Sequence, residues 1–237
     1  MTTALVLSIL FISTLTRSTL GFGDALVAMP LLVLVIGVRP ATPLVALFST
    51  TTALIIAGAN WRKIDIKAAW RLILASLLGI PVGLLILAYV SEELVKGILG
   101  LCLILFGVYS LTLPVLPPLH ESSWAYGFGF IAGILGGAYN ANGPPVVLYG
   151  TLRRWPPERF RATLQGYFIP TGGLIALSHG LAGLWTGEVF LFYLLALPLV
   201  LIAIFLGGKL NGHIPAQYFE RLLYLTLVGL GLLLILN

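Results

Sequence analysis

Charged residues are scarce in this sequence. Asp, Glu, Lys and Arg together make up 9% of its 237 residues, whereas 59% of the residues are hydrophobic. A water-soluble domain carries roughly a quarter charged residues, so this chain has too few polar side chains to cover a globule in water. Apolar runs of about twenty residues recur from end to end, and a helix of that length crosses about 30 Å of hydrocarbon. The composition therefore predicts an all-α, polytopic membrane protein.

Residues that form disulfides or bind metals are equally scarce. The single cysteine, Cys102, lies inside an apolar run, which excludes disulfides within the chain. The three histidines, His120, His179 and His213, are far apart in the sequence, and none has a second histidine or a cysteine at the spacing of a metal site. We therefore expect neither a metal nor another cofactor.

The sequence also lacks the motifs of common catalytic sites and of targeting. It contains no GxSxG, HExxH or Walker motif. Ser178 and His179 cannot act as a nucleophile and its base merely by adjacency, because neighbouring residues of a helix point to different faces. We predict that the protein is not an enzyme and uses no ATP. The N-terminus lacks the basic region and cleavage site of a signal peptide, so we expect the first apolar segment to be retained.

Two halves of the chain resemble each other when the sequence is shifted by about 115 residues. GFGDALVAMPLL at 21–32 aligns with GGAYNANGPPVVL at 136–148, and LVKGILGLCLILFG aligns with YFERLLYLTLVGLG further on. We predict two repeats, residues 1–113 and 122–237, which are joined by a linker over 114–121.

Each predicted repeat has an apolar segment that breaks at the glycine-rich stretch, then a short segment and three longer helices. The segments are 4–20, 25–37, 41–59, 69–90 and 94–112 in the first half, and 122–138, 143–152, 159–182, 188–208 and 216–236 in the second. Segment 143–152 would form about 15 Å of helix, which is too short to span. The first two segments of each half are therefore predicted to be either a re-entrant hairpin or a pair of broken helices.

Basic residues occupy different loops in the two halves. They crowd the loop after the third segment of the first half and the loop after the broken pair of the second half: Arg62, Lys63, Lys67 and Arg71, and Arg153, Arg154, Arg159 and Arg161. The loop of the second half that corresponds to the first of these, at 183–188, has no basic residue. The loop of the first half that corresponds to the second has only Arg39. Because basic loops stay in the cytoplasm, the repeats are predicted to be inverted. The protein would then lie in the inner (cytoplasmic) membrane with both termini on the outer face, and its net charge of +5 needs no nucleic-acid partner.

Two charged residues flank the first break. Arg17 precedes it and Asp24 follows it. An unpaired charge inside a bilayer is costly, so such residues usually face a partner or a cavity. Three interpretations are open: Arg17 pairs with Asp24 and merely holds the hairpin shut, Arg17 extends to the outer surface, or Arg17 coordinates an anion while Asp24 orients it or carries a proton.

The two breaks are predicted to form one anion site. The helices after the breaks begin near Ala25 and Gly143, and the free backbone N–H groups at a helix N-terminus suit an anion. Asn140 and Asn142 add neutral donors. Glycines would let the backbone approach the ligand: Gly21, Gly23, Gly136 and Gly137. The alternative is that these small residues serve close packing between membrane helices.

The helix after each broken pair supplies further candidates. FSTTT aligns roughly with LQGYF, so four side chains could approach the site from the two halves: Ser49, Thr50, Gln165 and Tyr167. We expect Gln165 to contribute most, because a buried amide needs several partners, and we expect Thr50 to Thr52 to bond mainly to carbonyls of the preceding turn. His179 is expected at the membrane interface, and proton coupling is its alternative role.

In its two glycine-rich breaks, its length and its GIPVG segment, the sequence resembles the TauE/SafE family, also called the sulfite exporter or toluenesulfonate uptake family. The resemblance covers the whole chain and is strongest at 21–32 and 136–150. It implies passage of a small anion such as sulfite, a sulfonate or a related organic acid. The chain departs from the family pattern at positions that we expect to tune substrate choice: Asp24, Ala25, Tyr139, Asn140 and Asn142.

The sequence thus predicts a secondary transporter that moves a small anion across the inner membrane by alternating access between its two halves. A passive anion channel or a carboxylate transporter is the alternative, and a non-catalytic subunit of a membrane assembly is a further one. The expected partners are the anion, the lipid bilayer and, for uptake, H⁺. The sequence leaves the direction of transport and the oligomeric state open.

Overall fold

The computed structural model describes residues 2–60, 66–112, 117–210 and 216–236, and within these ranges the chain forms ten α-helices. They are α1 (Thr2–Leu20), α2 (Asp24–Ile36), α3 (Val38–Asn60), α4 (Ile66–Tyr89), α5 (Glu92–Thr112), α6 (Trp124–Tyr139), α7 (Gly143–Leu152), α8 (Pro157–Leu181), α9 (Gly187–Leu210) and α10 (Ala216–Leu236). Five of them, α1, α3, α4, α5 and α9, are long and apolar enough to cross a membrane. The predicted all-α polytopic fold is confirmed.

The breaks in the sequence set the helix boundaries near the site. α2 begins at Asp24 directly after Gly23, whose φ of 98° lies in the left-handed region that glycine adopts without strain. α6 ends at Tyr139 and is capped by Asn140, whose φ is 53° and whose backbone N–H donates to the carbonyl of Gly136 at 2.9 Å, which satisfies a carbonyl of the last turn. The predicted segments differ from the helices by at most three residues, at the starts of α3 (41 against 38) and α4 (69 against 66).

The second broken pair, α6 and α7, is a re-entrant hairpin. The N–H of Leu119, shortly before α6, donates to the carbonyl of Leu152 at the end of α7 at 3.0 Å. The chain therefore enters and leaves this pair at the same face of the molecule. Between the two helices, the rings of Phe128 and Tyr149 pack with their centroids 5.5 Å apart. Of the two arrangements that the sequence allowed for this pair, the structure has the hairpin.

α4 and α6 run parallel and pack through an interface of small residues. Successive turns of the two helices face each other in the same order: Leu72 with Gly129, Ser76 with Gly133, and Ile80 with Gly137. A Cβ atom added to Gly133 would lie 2.7 Å from the Cα of Ser76, and one added to Gly83 would lie 2.8 Å from the backbone nitrogen of Ala138. Neither position has room for a side chain, so the small-residue packing considered for the glycines applies to this interface.

The two predicted halves pack against each other rather than as separate units. α4 lies on α6, α1 on α9, α5 on α10 and α3 on α8. α5 and α10 run antiparallel, with Gly100 near Gly231 and Gly107 near Val228. Each helix has a counterpart five helices further along the chain, so that α1 corresponds to α6 and α4 to α9. The contact between α4 and α6 therefore corresponds to that between α9 and α1, and the pairs α5–α10 and α3–α8 each correspond to themselves. A duplicated chain is expected to show this symmetry. The inversion of the repeats and the boundaries 1–113 and 122–237 stay predictions.

The start of α4 and the end of α7, which carry basic residues of the two halves, lie at the same face. Trp70 at the start of α4 packs edge-on against Tyr126 at the start of α6, with ring centroids 6.4 Å apart, and the hydrogen bond that closes the hairpin brings the end of α7 to this face. Three guanidinium groups accordingly lie within electrostatic range of Tyr149: those of Arg71, Arg153 and Arg159. The other basic residues named for these loops lie outside the described residues or have side chains that are not described: Arg62, Lys63, Lys67 and Arg161.

Candidate functional site

Arg17 and Asp24 form a buried ion pair across the first break. The Nη1 atom of Arg17 donates to both carboxylate oxygens of Asp24, at 3.0 Å and 2.8 Å, and each side chain is only 5% exposed. Because α1 ends before Gly21 and α2 starts at Asp24, the break itself brings the two charges together. Of the three interpretations left open for Arg17, extension to the outer surface is wrong, because the side chain is enclosed by protein.

The ion pair leaves most of the Arg17 guanidinium available. The Nε and Nη2 atoms are buried and have no hydrogen-bond partner, although a guanidinium offers five N–H donors in a planar fork. The ring of Phe168 lies beside the cation, with its centroid 5.7 Å from Cζ. A buried donor without a partner is unfavourable, so this fork is chemically suited to donate hydrogen bonds to an oxyanion.

The two helices that follow the breaks offer unequal numbers of backbone donors. In α2 the first helical bond runs from Val27 N–H to the Gly23 carbonyl at 3.1 Å, so the N–H groups of residues 24–26 have no helical acceptor. In α7 the second and third residues are Pro144 and Pro145, which have no N–H. The N-terminus of α2 is therefore richer in free donors than that of α7.

A small cavity of about 40 Å³ lies between the two breaks. Seven residues predicted for the site line it: Arg17, Gly23, Asp24, Ala25, Asn140, Asn142 and Gly143. The cavity is thus built from α1 and α2 of the first half and from the α6–α7 hairpin of the second, with α3 and α8 closing its walls. The structure brings the two breaks together, as the sequence predicted.

One hydrogen bond ties each break to a long helix of the other half. The amide nitrogen of Asn140 donates to the carbonyl of Thr42 in α3 at 2.7 Å, and that of Gln165 in α8 donates to the carbonyl of Gly21 at 3.2 Å. Gln165 and Gly21 therefore hold the first break in place rather than lining the cavity. The other amide atom of Gln165, Oε1, is buried without a partner.

The remaining predicted residues pack behind the cavity. A Cβ atom on Gly136 would lie 2.7 Å from Ile175 Cδ1, and Gly137 belongs to the close α4–α6 interface. His179 was expected at the membrane interface, but it is 0% exposed, and its Nε2 lies 2.8 Å from the carbonyl of Gly137. The interfacial expectation for His179 is wrong, because α8 packs its last turns against the end of α6.

The hydroxyl groups of α3 follow the expectations in part. Thr51 bonds to the carbonyl of Leu47 in the preceding turn, at 2.9 Å, as expected, whereas the hydroxyls of Thr50 and Thr52 are buried without a partner. Ser49 and Thr50, both named as side chains that could approach the site, line the cavity, and the Ser49 hydroxyl also has no partner. Tyr167 does not line the cavity; its hydroxyl lies 2.8 Å from that of Ser76. The polar wall of the cavity therefore includes Ser49 and Thr50, whose two hydroxyls are free to donate or accept.

Sequence reasoning missed the apolar part of the lining. The residues concerned are Phe22, Leu26, Ala46, Phe168, Gly172 and Ile175. A signal for three of them was present, because Phe168, Gly172 and Ile175 follow Gln165 at spacings of three, seven and ten residues. Such spacings lie on one helix face, so the face of α8 that begins at Gln165 predicts this wall.

Charge is balanced inside the cavity. Among the described residues that line it, only Arg17 and Asp24 are charged, and they neutralise each other. The side-chain atoms of the lining that are buried without a partner can all donate: Nε and Nη2 of Arg17 and the hydroxyls of Ser49 and Thr50. The N–H groups of residues 24–26, which have no helical acceptor, add to them. Fold and site together define a polytopic helical membrane protein with a buried, donor-rich cavity between two helix breaks.

The chain belongs to the sulfite exporter TauE/SafE family, whose family model matches residues 5–234. It is therefore a membrane transporter and not an enzyme.

Two relatives are similar over most of the chain. The probable sulfite/organosulfonate exporter TauE of Cupriavidus necator is 27% identical over 224 residues, which cover 91% of this chain and 86% of the relative. The probable inner membrane transporter protein TsaS of Comamonas testosteroni is 27% identical over 195 residues, which cover 80% of each chain. No solved structure matches this chain.

Proposed function

We propose that this transporter carries a small sulfur oxyanion or organosulfonate, and that the anion binds in the cavity between the two breaks. The observation that carries the proposal is the buried Arg17 fork, whose Nε and Nη2 atoms have no partner and border a cavity with further free donors. Charge-assisted hydrogen bonds of this kind are about twice as strong as neutral ones. A pyramidal or tetrahedral oxyanion presents several acceptor oxygens to such a set of donors.

The names of the relatives support the chemical class of the substrate and the location. One relative is a probable exporter of sulfite and organosulfonates, and the other is a probable inner membrane transporter. By analogy, the protein lies in the inner membrane and takes substrates of the same class. A carboxylate would also satisfy the Arg17 fork, but neither relative's name points to one.

Alternating access between inverted halves is the proposed mechanism. Two observations support it. The helix contacts are symmetric between the two halves, and one hydrogen bond joins each break to the other half. Those bonds, Asn140 to Thr42 and Gln165 to Gly21, would break or change when the halves move against each other. Rocking of one repeat against the other around a fixed central site is the common mechanism of such folds.

Proton coupling through Asp24 is the proposed energy source for uptake. With a negative cell interior, an anion leaves downhill by about 2.3 kcal/mol per charge per 100 mV, so export needs no coupling whereas uptake does. A bound monoanion would add a negative charge to a cavity that Arg17 and Asp24 leave neutral. Uptake of one proton by the Asp24 carboxylate would restore that neutrality. His179, the other candidate for this role, does not border the cavity.

Transport is tested by the flux of radiolabelled sulfite into proteoliposomes. We expect saturable uptake into vesicles that contain the wild-type protein and none into protein-free vesicles. The Asn142→Ala variant should need higher sulfite concentrations, because Asn142 borders the cavity, whereas Thr112→Ala, at an exposed position at the end of α5, is the control and should not. Absence of sulfite and sulfonate flux in the wild type would refute the proposal. Currents far above the turnover of a carrier would favour the channel.

Topology is tested by cysteine labelling after the native Cys102 has been replaced by serine. We expect an impermeant maleimide to label Arg71→Cys and Arg159→Cys variants from the cytoplasmic side, and a Glu188→Cys variant from the outside. The basic side chains of the first two positions favour the cytoplasm, and Glu188 starts α9 after α8 has crossed from the arginine-rich face. This arrangement puts both termini outside. Labelling of residues 71 and 159 from opposite sides would contradict the inverted topology.

A further inference from the structure

Phe168 is an aromatic side chain of the cavity wall that lies close to residues beside both breaks. Its ring centroid lies 5.7 Å from the Cζ atom of Arg17 before the first break. Its Cζ atom lies 3.8 Å from where a Cβ atom on Gly143, after the second break, would be. The neighbouring Tyr167 packs edge-on against the Phe168 ring, with centroids 5.5 Å apart. The ring is thus held between the proposed anion-binding fork and the start of α7.

The cavity has no room for a second ring beside Arg17. The Phe168 ring already lies there, with its centroid 5.7 Å from Cζ, and the cavity is small, at about 40 Å³. Sulfite and methanesulfonate have no ring, whereas an aryl sulfonate adds a complete one. The next lining positions of α8 offer no such ring: Gly172 has no side chain and lies close to α3, with Thr50 Oγ1 3.1 Å from an added Cβ, and Ile175 packs against Gly136.

We infer that Phe168 determines substrate size: its ring occupies the place beside Arg17 that the ring of an aryl sulfonate would need. The wild-type substrate is accordingly a small oxyanion or a short-chain sulfonate. This inference rests on the proposed function, since it assumes that the anionic group binds at Arg17. Removing the Phe168 ring leaves an apolar slot of matching shape next to an unchanged guanidinium. An aryl sulfonate would place its sulfonate on the Arg17 fork and its ring in that slot.

Ligand-induced shifts of the unfolding temperature of the purified protein test this inference, with sulfite, methanesulfonate and benzenesulfonate as probes. The wild type should be stabilised by the first two and not by the third. In the Phe168→Ala variant, benzenesulfonate should bind about tenfold or more tightly than it does to the wild type, since even one methylene in an apolar pocket changes discrimination about tenfold. Sulfite binding should persist, because the Arg17 donors remain.

The control is Phe106→Ala, which removes a buried ring that packs against Tyr224 in the α5–α10 interface and should leave the selectivity unchanged. If Phe168→Ala does not fold, Phe168→Leu removes the ring while keeping apolar contact, and it carries the same expectation. The inference would be overturned if the wild type bound benzenesulfonate as tightly as methanesulfonate. It would also be overturned if a folded Phe168→Ala or Phe168→Leu variant bound benzenesulfonate no more tightly than the wild type does. Absence of binding by all three anions to the wild type would instead refute the proposed function.

Discussion

Replacement of Arg17 by glutamine should weaken anion binding by roughly thirtyfold or more. The pair that matters for binding is the one between Arg17 and the bound anion. Removing one member of such a buried, hydrogen-bonded charge pair costs about 2–5 kcal/mol of binding free energy, and about 1.4 kcal/mol is a factor of ten in affinity. Arg17 is the only cation among the described residues that line the cavity, and its Nε and Nη2 atoms have no competing partner. The measurement is the sulfite concentration that half-saturates uptake into proteoliposomes.

The same substitution also leaves Asp24 as an unpaired buried carboxylate, which by itself destabilises the fold. The Arg17→Gln/Asp24→Asn double variant removes both charges and separates the two effects. We expect this variant to fold and still to bind sulfite weakly. Arg39→Gln, which changes an exposed arginine at the start of α3, is the control and should transport normally. A folded double variant with wild-type affinity would show that the anion binds elsewhere.

Replacement of Asp24 by asparagine should abolish accumulation driven by a pH gradient while sulfite exchange continues. Asparagine has nearly the same shape and can still accept a hydrogen bond from Arg17, but it cannot carry a proton. For one proton and one monoanion, an imposed gradient of one pH unit is worth about 1.4 kcal/mol, or about tenfold accumulation. The wild type should approach this ratio in vesicles that are acidic outside. The Asp24→Asn variant should reach equal concentrations on both sides.

Glu188→Gln provides the matched control, because it neutralises an exposed carboxylate at the start of α9. This variant should accumulate sulfite like the wild type. Accumulation by Asp24→Asn that equals that of the wild type would exclude Asp24 as the proton carrier. Loss of exchange together with accumulation would mean that Asp24 is needed for binding or folding.

Much of the fold was predictable because the lipid bilayer imposes length and polarity on each segment. Apolar runs of spanning length and the glycines and prolines between them placed every helix to within three residues. The hairpin was not predictable, since it depends on a contact between Leu119 and Leu152 that no local pattern encodes. The sequence showed only that α7 is too short to span.

The site was predictable where function requires rare residues and unpredictable where it depends on packing. Arg17, Asp24 and Asn142 stand out because polar residues are scarce in the apolar segments, and all three border the cavity. Gly137 looks the same as Gly23 in the sequence, but it lies against Ile80 in the α4–α6 interface. Phe168 carries no polar signal of its own; its spacing from Gln165 puts it on the right face of α8, and its place beside Arg17 and Gly143 becomes visible only in the structure.

The central claim is that the cavity between the two breaks is the anion site, and locating a heavy-atom analogue tests it most directly. Selenite has the shape and charge of sulfite, and selenium gives an anomalous X-ray signal in crystals grown with it. We predict an anomalous peak between Arg17 and the N-terminus of α2, within about 4 Å of the guanidinium nitrogens, as a hydrogen bond to a selenite oxygen requires. A peak elsewhere in the molecule, with this cavity empty, would contradict the account.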